Sequence, residues 1–231
     1  GMLRLAGTVS SAGAVQSSTL DVATTATIGG ATTISASLTA ASVTSQGAIA
    51  GASVAVTGVA SAQSVSATTV TASGLVQGAT VSSSGSVDAA SVSASGLVQG
   101  ATVSSSGAVQ GASVTSTGVL EVTGGATIGG ATTVSAALTA DSVTSLGPVE
   151  GTSFSTGGAV TAQDVNATSV TADGLVRGAT LSSTGSVDTV SVSASGLVEA
   201  GSLSSSGSVH AASLVSLVQS LLVVTSMLLV P

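Results

Sequence analysis

The chain has 231 residues, which is enough for one or two domains of ordinary size. Two basic residues, Arg4 and Arg177, stand against nine acidic ones, and the net charge of −7 excludes nucleic acid as a partner because neutralising phosphates needs many Lys and Arg side chains. The chain has no Cys, which excludes a disulfide framework and a thiolate metal site.

Side-chain size restricts the fold further. Apolar residues make up 43% of the chain and charged residues 5%, which is the reverse of the composition of disordered proteins, so we expect an ordered fold. Most residues are Ala, Gly, Ser, Thr or Val, and Phe154 is the single aromatic residue. Such side chains cannot build a conventional thick core, and they favour a thin, repetitive interior.

Two repeats are superimposed along the chain. A short repeat of eleven residues is marked by glycines at Gly74, Gly85, Gly96, Gly107 and Gly118, and again at Gly174, Gly185, Gly196 and Gly207. A longer repeat has a period of one hundred, since the sequence from Ala26 recurs from Ala126. We interpret this as an internal duplication of residues 26–100 in residues 126–200.

Within the eleven-residue repeat, the valines alternate at intervals of five and six: Val76, Val81, Val87, Val92, Val98, Val103, Val109 and Val114. A helical stripe would need intervals of three and four, and the β-branched residues Val and Thr favour strands. We expect each valine to lie at the centre of a three-residue strand and to point inward. The fold class predicted is all-β, a β-solenoid in which each short strand pairs with the strand one turn above it.

The number of faces per turn stays open at this point. The eleven-residue period favours two faces, or four, because like residues then stack on like. A three-faced turn would need three strands of five or six residues. Each column would then contain strands that differ in their outward residues. A third arrangement intertwines three chains into a trimeric β-fibre.

The two kinds of strand differ in their outward residues. One kind reads hydroxyl, apolar, hydroxyl, as in Thr80-Val81-Ser82 and Ser91-Val92-Ser93. The other kind carries a larger polar residue after its valine: Asp88, Gln99, Gln110, Glu150, Arg177, Asp188, Glu199 or His210. We expect one surface to be a ladder of hydroxyl groups and the other to be sparsely acidic.

Several phrases resemble known fibre proteins. GATIGGATTVSAALTADSVTS, EGTSFSTGGAV and NATSVTADGLV are similar to the Gly-Ala-Thr-Thr repeats of phage and viral tail fibres and of other extracellular β-repeat proteins, and the likeness covers most of residues 7–213. The alternation of five- and six-residue intervals between the valines is also similar to the pattern in bactofilins, the cytoskeletal β-helix polymers. The resemblance implies a self-associating shaft or filament subunit that is extracellular, on the cell surface or on a virion, and that has no enzymatic activity.

No constellation of catalytic, metal or cofactor residues is recognised in the sequence. His210 is the only imidazole and is expected on the surface. The carboxylates are scattered singly, which disfavours paired acid/base catalysis and a calcium cage. The glycines of the Gly124–Gly130 segment are assigned to corners, since no Lys or helix follows to bind phosphate. Asn166-Ala167-Thr168 fits the N-glycosylation pattern.

The C-terminal residues 214–231 break the repeat that fills residues 1–213. This segment has no charge, and Leu214, Leu217, Val218, Leu221, Leu222, Leu228 and Leu229 recur at helical intervals. It is interpreted as a cap or assembly segment, as a membrane anchor or processed tail, or as continued β-structure. Any membrane contact is expected only through this segment, and no signal peptide is recognised at the N-terminus.

The sequence therefore predicts a non-enzymatic structural protein, a fibre or filament shaft whose partner is another copy of itself. One alternative is a binding module whose hydroxyl ladder contacts ice or carbohydrate, since β-solenoid ice-binding proteins carry a similar Thr-x-Thr surface. The other alternative is a cytoskeletal polymer like the bactofilins.

Overall fold

The computed structural model describes residues 1–216 and 226–229, and every regular element in these ranges is a β-strand. The chain forms two compact units, Gly1–Thr115 and Ser116–Pro231. Each unit is a β-solenoid, and the two together contain about 13 parallel-stacked turns. The all-β solenoid predicted from the sequence is confirmed.

The first unit contains fourteen strands, the last of which ends one residue beyond it. They are β1 Met2–Leu5, β2 Val9–Ser11, β3 Val15–Ser17, β4 Thr19–Ile28, β5 Thr32–Ser45, β6 Ala48–Val56, β7 Ala60–Ser61, β8 Ser64–Gly78, β9 Thr80–Ser83, β10 Ser86–Ala94, β11 Leu97–Gly100, β12 Thr102–Ser105, β13 Val109–Gly111 and β14 Ser113–Ser116.

The described part of the second unit contains ten further strands. They are β15 Leu120–Ile128, β16 Thr132–Ser145, β17 Val149–Thr156, β18 Val160–Thr161, β19 Asp164–Gly178, β20 Thr180–Ala194, β21 Leu197–Ser205, β22 Ser208–Ala211, β23 Ser213–Ser216 and β24 Ser226–Leu229.

Strand pairing in the first unit defines three faces. Residues pair in parallel with residues 16 to 18 positions further along the chain, so that three strand centres, one on each face, complete one turn. Face A stacks Val9, Ala26, Val43, Ala60, Val76, Val92 and Val109. Face B stacks Val15, Thr32, Ile49, Val65, Val81 and Val98. Face C stacks Leu3, Leu20, Leu38, Val54, Val70, Val87 and Val103.

The second unit repeats the same three faces one hundred residues later. Face A stacks Ala126, Val143, Val160, Val176, Val192 and Val209. Face B stacks Thr132, Val149, Val165, Leu181, Val198 and Leu214. Face C stacks Leu120, Leu138, Phe154, Val170, Val187 and Leu203.

The preference for two or four faces per turn was wrong. Val76 pairs with Val92, sixteen residues on, rather than with a residue one or two eleven-residue repeats away. One turn therefore corresponds to about one and a half short repeats. The pairing partners belong to the same chain, so the ladder does not require three intertwined chains.

The predicted inward position of the valines is confirmed. Val76, Val81, Val87, Val98 and Val103 are all fully buried. Each such side chain contributes about 1.5–3 kcal/mol by leaving water, and stacking the columns makes this gain continuous. Because parallel pairing directs the backbone hydrogen bonds along the stack, each short strand is stabilised by the turns on either side of it.

Many strands are longer than the three residues predicted. β8 and β19 each run for fifteen residues, because the backbone remains extended and paired as it bends from one face to the next. The bends appear in the ladder as register shifts, for example between Ala89 and Ser91.

Glycines occupy the bends, as predicted. A β-carbon built on Gly85 would lie 2.6 Å from the carbonyl oxygen of Thr68 in the turn below. A β-carbon on Gly74 would lie 2.5 Å from the carbonyl oxygen of Gly58. These distances are too short for any larger residue, so glycine allows the turns to approach each other at the bends.

The C-terminal segment is β-structure wherever it is described. β23 pairs with β21, and β24 pairs with β22, so Leu214, Leu228 and Leu229 lie in strands rather than on a helical stripe. At these positions the structure agrees with the third interpretation, continued β-structure, and not with the helical stripe. The remaining positions of that pattern, within 217–225, lie outside the described residues.

Candidate functional surfaces

The outward residues on either side of each inward residue form the surface of each face. Along a strand, side chains alternate between inside and outside, so Thr80 and Ser82 flank the buried Val81 and point outward. Stacking places corresponding residues of successive turns about 4.8 Å apart. Each face therefore presents two parallel rows of side chains, one before and one after the inward column.

The expected separation into a hydroxyl surface and an acidic surface was wrong. Ser82 pairs with Gln99, and Ser93 pairs with Gln77, so a hydroxyl strand stacks on a strand of the other kind. The reason is the length of the turn. Since a turn spans about one and a half short repeats, both kinds of strand occur in the same column, and a hydroxyl strand can also stack on another, as Ser64 does on Thr80.

Hydroxyl groups nevertheless collect on face C of the first unit. The row that precedes the inward column is composed of Thr19, Ser37, Ser53, Thr69, Ser86 and Thr102. The row that follows the column pairs Asp21 with Thr39, Ala55 with Thr71 and Asp88 with Ser104. The first row is continuous in hydroxyl groups, whereas carboxylates and alanine interrupt the second.

A further set of hydroxyl groups is buried at the bends and was missed by the sequence reasoning. Ser83 donates a hydrogen bond to the carbonyl oxygen of Thr68 at 2.6 Å, and its equivalent Ser183 donates to that of Thr168 at 2.7 Å. Ser105 donates to Ala90 in the same manner at 3.0 Å. The alternation of inward and outward residues could have located these serines, because each lies two positions after an inward residue.

Two buried threonines differ from this pattern. Thr32 and Thr132 occupy equivalent inward positions on face B, where most other residues are Val, Leu or Ile. Both side chains are fully buried, and their hydroxyl groups have no hydrogen-bond partner among the described residues. They interrupt an otherwise apolar column, and the sequence reasoning did not single them out.

The acidic residues are scattered over the surface. Within residues 1–216 and 226–229, no group of three or more His, Cys, Asp or Glu side chains could hold a metal ion. Asp164 has a structural contact, because its Oδ1 accepts hydrogen bonds from the backbone N–H of Thr180 at 3.2 Å and from the Thr180 hydroxyl. Arg4 forms an ion pair with Asp21, with 3.1 Å between Nε and Oδ2.

The remaining residues noted in the sequence are exposed. His210 and Arg177 lie on face A of the second unit, where both pair with Ser193 on the intervening turn. The surface position expected for His210 is confirmed. Asn166 and Thr168 of the glycosylation pattern are also exposed, on and beside face B.

One groove follows the bend between faces C and A in the second unit. It has a volume of about 390 Å³, and its lining includes Asp173, Asp188 and Val190 from successive turns. Val190 is 44% exposed, so the groove is a shallow surface depression. The two carboxylates are the only charged residues that line it.

The fold and surface together define the chain as a β-solenoid protein with small, mostly uncharged outward residues. No family model, curated protein or solved structure matches the chain. The likeness to tail fibres and bactofilins therefore remains a prediction from sequence. Among the described residues, none lies in a helix with the length and hydrophobicity needed to traverse a bilayer.

Proposed function

We propose that this chain is a non-enzymatic structural protein, the shaft subunit of a fibre or filament that associates with further copies of itself. The proposal is supported by the repetition of one turn within each unit. Three apolar columns and one backbone ladder continue from turn to turn, so that adding turns adds length and leaves the cross-section unchanged. A shaft requires a cross-section that stays constant along its length.

The composition of the surface also supports this function. Outward residues are short, and those that contact neighbouring turns, such as Thr180 with Asp164, reinforce the ladder. The fibre is proposed to belong to a surface appendage or a virion, in keeping with the resemblance to tail-fibre repeats.

Negative-stain electron microscopy combined with measurement of the particle mass tests the proposal. The full chain is expected to form filaments, or oligomers of defined mass, as its concentration increases. Particles with the mass of a single chain at every concentration would overturn the self-association. Fractionation of the source cell tests the location, and recovery in the cytoplasmic fraction would favour the bactofilin-like alternative.

The ice- or carbohydrate-binding alternative is less well supported, because two-row hydroxyl arrays are short. On face C, Asp21, Ala55 and Asp88 interrupt the second row. On face A, both rows carry hydroxyl groups for three turns, and Val59 and Leu75 then interrupt the first row. Thermal hysteresis of the purified chain, lost in the Thr69→Lys and Thr102→Lys variants, would favour this alternative over the shaft.

A further inference from the structure

The charged side chains of the first unit are confined to one of its three faces. Residues 1–115 contain three ionisable side chains, Arg4, Asp21 and Asp88. All three directly follow residues of the face C column, namely Leu3, Leu20 and Val87. Every residue that flanks the inward columns of faces A and B is Ser, Thr, Ala, Gln, Val or Leu.

This distribution is unusual for a solvent-facing surface. Protein surfaces designed to remain solvated carry about 25–35% charged residues, whereas the centres of protein–protein interfaces are depleted of them. An uncharged face loses little on leaving water, because its hydroxyl and amide groups can exchange hydrogen bonds with an equivalent surface. Most of its side chains are Ser, Thr or Ala, which lose little conformational entropy on packing.

The uncharged surface has two faces, and contacts on both together reach the size of a standard interface. Seven strands stack on face A from Val9 to Val109, and strands about 4.8 Å apart give a height of roughly 30 Å. A width of about five extended residues adds roughly 15 Å, so each face offers roughly 450 Å², and copies packed on both faces together cover roughly 900 Å². A standard protein–protein interface covers about 800 Å² on each partner.

We propose that faces A and B of the first unit form the surface through which copies of this chain pack side by side, while face C is turned to solvent. The inference rests on the proposed function and specifies its lateral contact. A second copy is the occupant that fits, because it brings an equally uncharged surface and leaves no ionised group buried without a partner. A charged partner would leave its own charges unpaired against these faces.

The test places two lysines on each face in turn, at exposed positions two turns apart. The variants are Thr44→Lys with Gln77→Lys on face A, and Thr33→Lys with Ser66→Lys on face B. The matched control is Thr39→Lys with Thr71→Lys on face C, whose added charges lie beside Asp21 and Asp88. All three double variants change the net charge equally, and circular dichroism establishes that each is folded.

The readouts are particle mass by analytical ultracentrifugation and filament width by electron microscopy. The wild type and the face C variant are expected to form assemblies more than one chain wide. The face A and face B variants are expected to need at least about a tenfold higher concentration for the same lateral association, because each lysine would be buried against an uncharged surface.

The outcomes separate this inference from the proposed function. Wild-type filaments that are one chain wide would overturn the lateral surface and leave the shaft proposal standing. Lateral association that survives in the face A and B variants, or that is lost in the face C variant, would also overturn it. A wild type that remains a single chain at every concentration would overturn both the lateral surface and the proposed shaft function.

Discussion

The ring of Phe154 lies over Gly151, so closely that a β-carbon on Gly151 would stand 2.7 Å from Cε1 of the ring. Phe154 is the inward residue of face C between Leu138 and Val170, at a position where the first unit has Val54. The larger ring therefore fits the thin interior because the neighbouring residue has no side chain. Because of this contact, replacing Gly151 by Ala is expected to destabilise the protein more than the equivalent replacement of Gly51 in the first unit.

Gly151→Ala is expected to lower the free energy of unfolding by about 1–3 kcal/mol, because the new methyl group meets both the ring and the Val134 carbonyl oxygen at 2.6 Å. The matched control is Gly51→Ala, where the nearest atom is the Ile34 carbonyl oxygen at 3.0 Å, and a smaller loss is expected. Urea unfolding measures both, and adding Phe154→Val to Gly151→Ala should recover part of the loss. Equal losses at the two glycines would contradict this account.

Thr32→Val and Thr132→Val are each expected to raise the free energy of unfolding by about 1 kcal/mol. Each removes a buried hydroxyl group that lacks a hydrogen-bond partner among the described residues and replaces it with a methyl group beside apolar neighbours. The adjacent threonines Thr33 and Thr133 point outward, and Thr33→Val and Thr133→Val should change stability by less than about 0.5 kcal/mol. A loss of stability in the buried variants would mean that their hydroxyl groups have partners.

Ser83→Ala and Ser183→Ala are expected to lower the free energy of unfolding by about 1 kcal/mol each. Both substitutions remove the hydrogen bond that joins a bend to the carbonyl oxygen of the turn below. The exposed neighbours serve as controls, and Ser84→Ala and Thr184→Ala should have little effect in the same thermal or urea titration. If buried and exposed serines respond alike, the bend hydrogen bonds do not contribute to stability.

The inward columns could be predicted from the sequence because alternation is a local property. In Val81-Ser82-Ser83, a strand that buries Val81 must point Ser82 outward and Ser83 inward. The same rule would have located the buried serines at the bends had it been applied one residue further. Glycines at bends were also predicted, from their place in the repeat, and the structure supplies the reason, since the close approach of the backbones leaves no room for a side chain.

The number of faces could not be derived in this way. From Val76 to Val109 the inward residues are all Val, so Val76 gains a similar neighbour whether it stacks on Val87, Val92 or Val98. The number of faces decides which outward residues stack on one another. The predicted hydroxyl ladder was therefore wrong, although the hydroxyl strands themselves were identified. The contact between Phe154 and Gly151 was equally hidden, because it reaches across a bend, where alternation no longer applies.

Disulfide formation between introduced cysteines tests the three-faced turn most directly, since the chain has no Cys of its own. Gln77 and Ser93 are paired on adjacent turns, and neighbouring strands lie within the Cα separation of 4.4–6.8 Å that a disulfide spans. The Gln77→Cys, Ser93→Cys variant should therefore oxidise to an intramolecular disulfide, detected by mass spectrometry. The variants that pair Gln77→Cys with Asp88→Cys or Gln99→Cys, at separations of one and two short repeats, should remain reduced. Rapid closure in either of these, with none between positions 77 and 93, would contradict the three-faced solenoid.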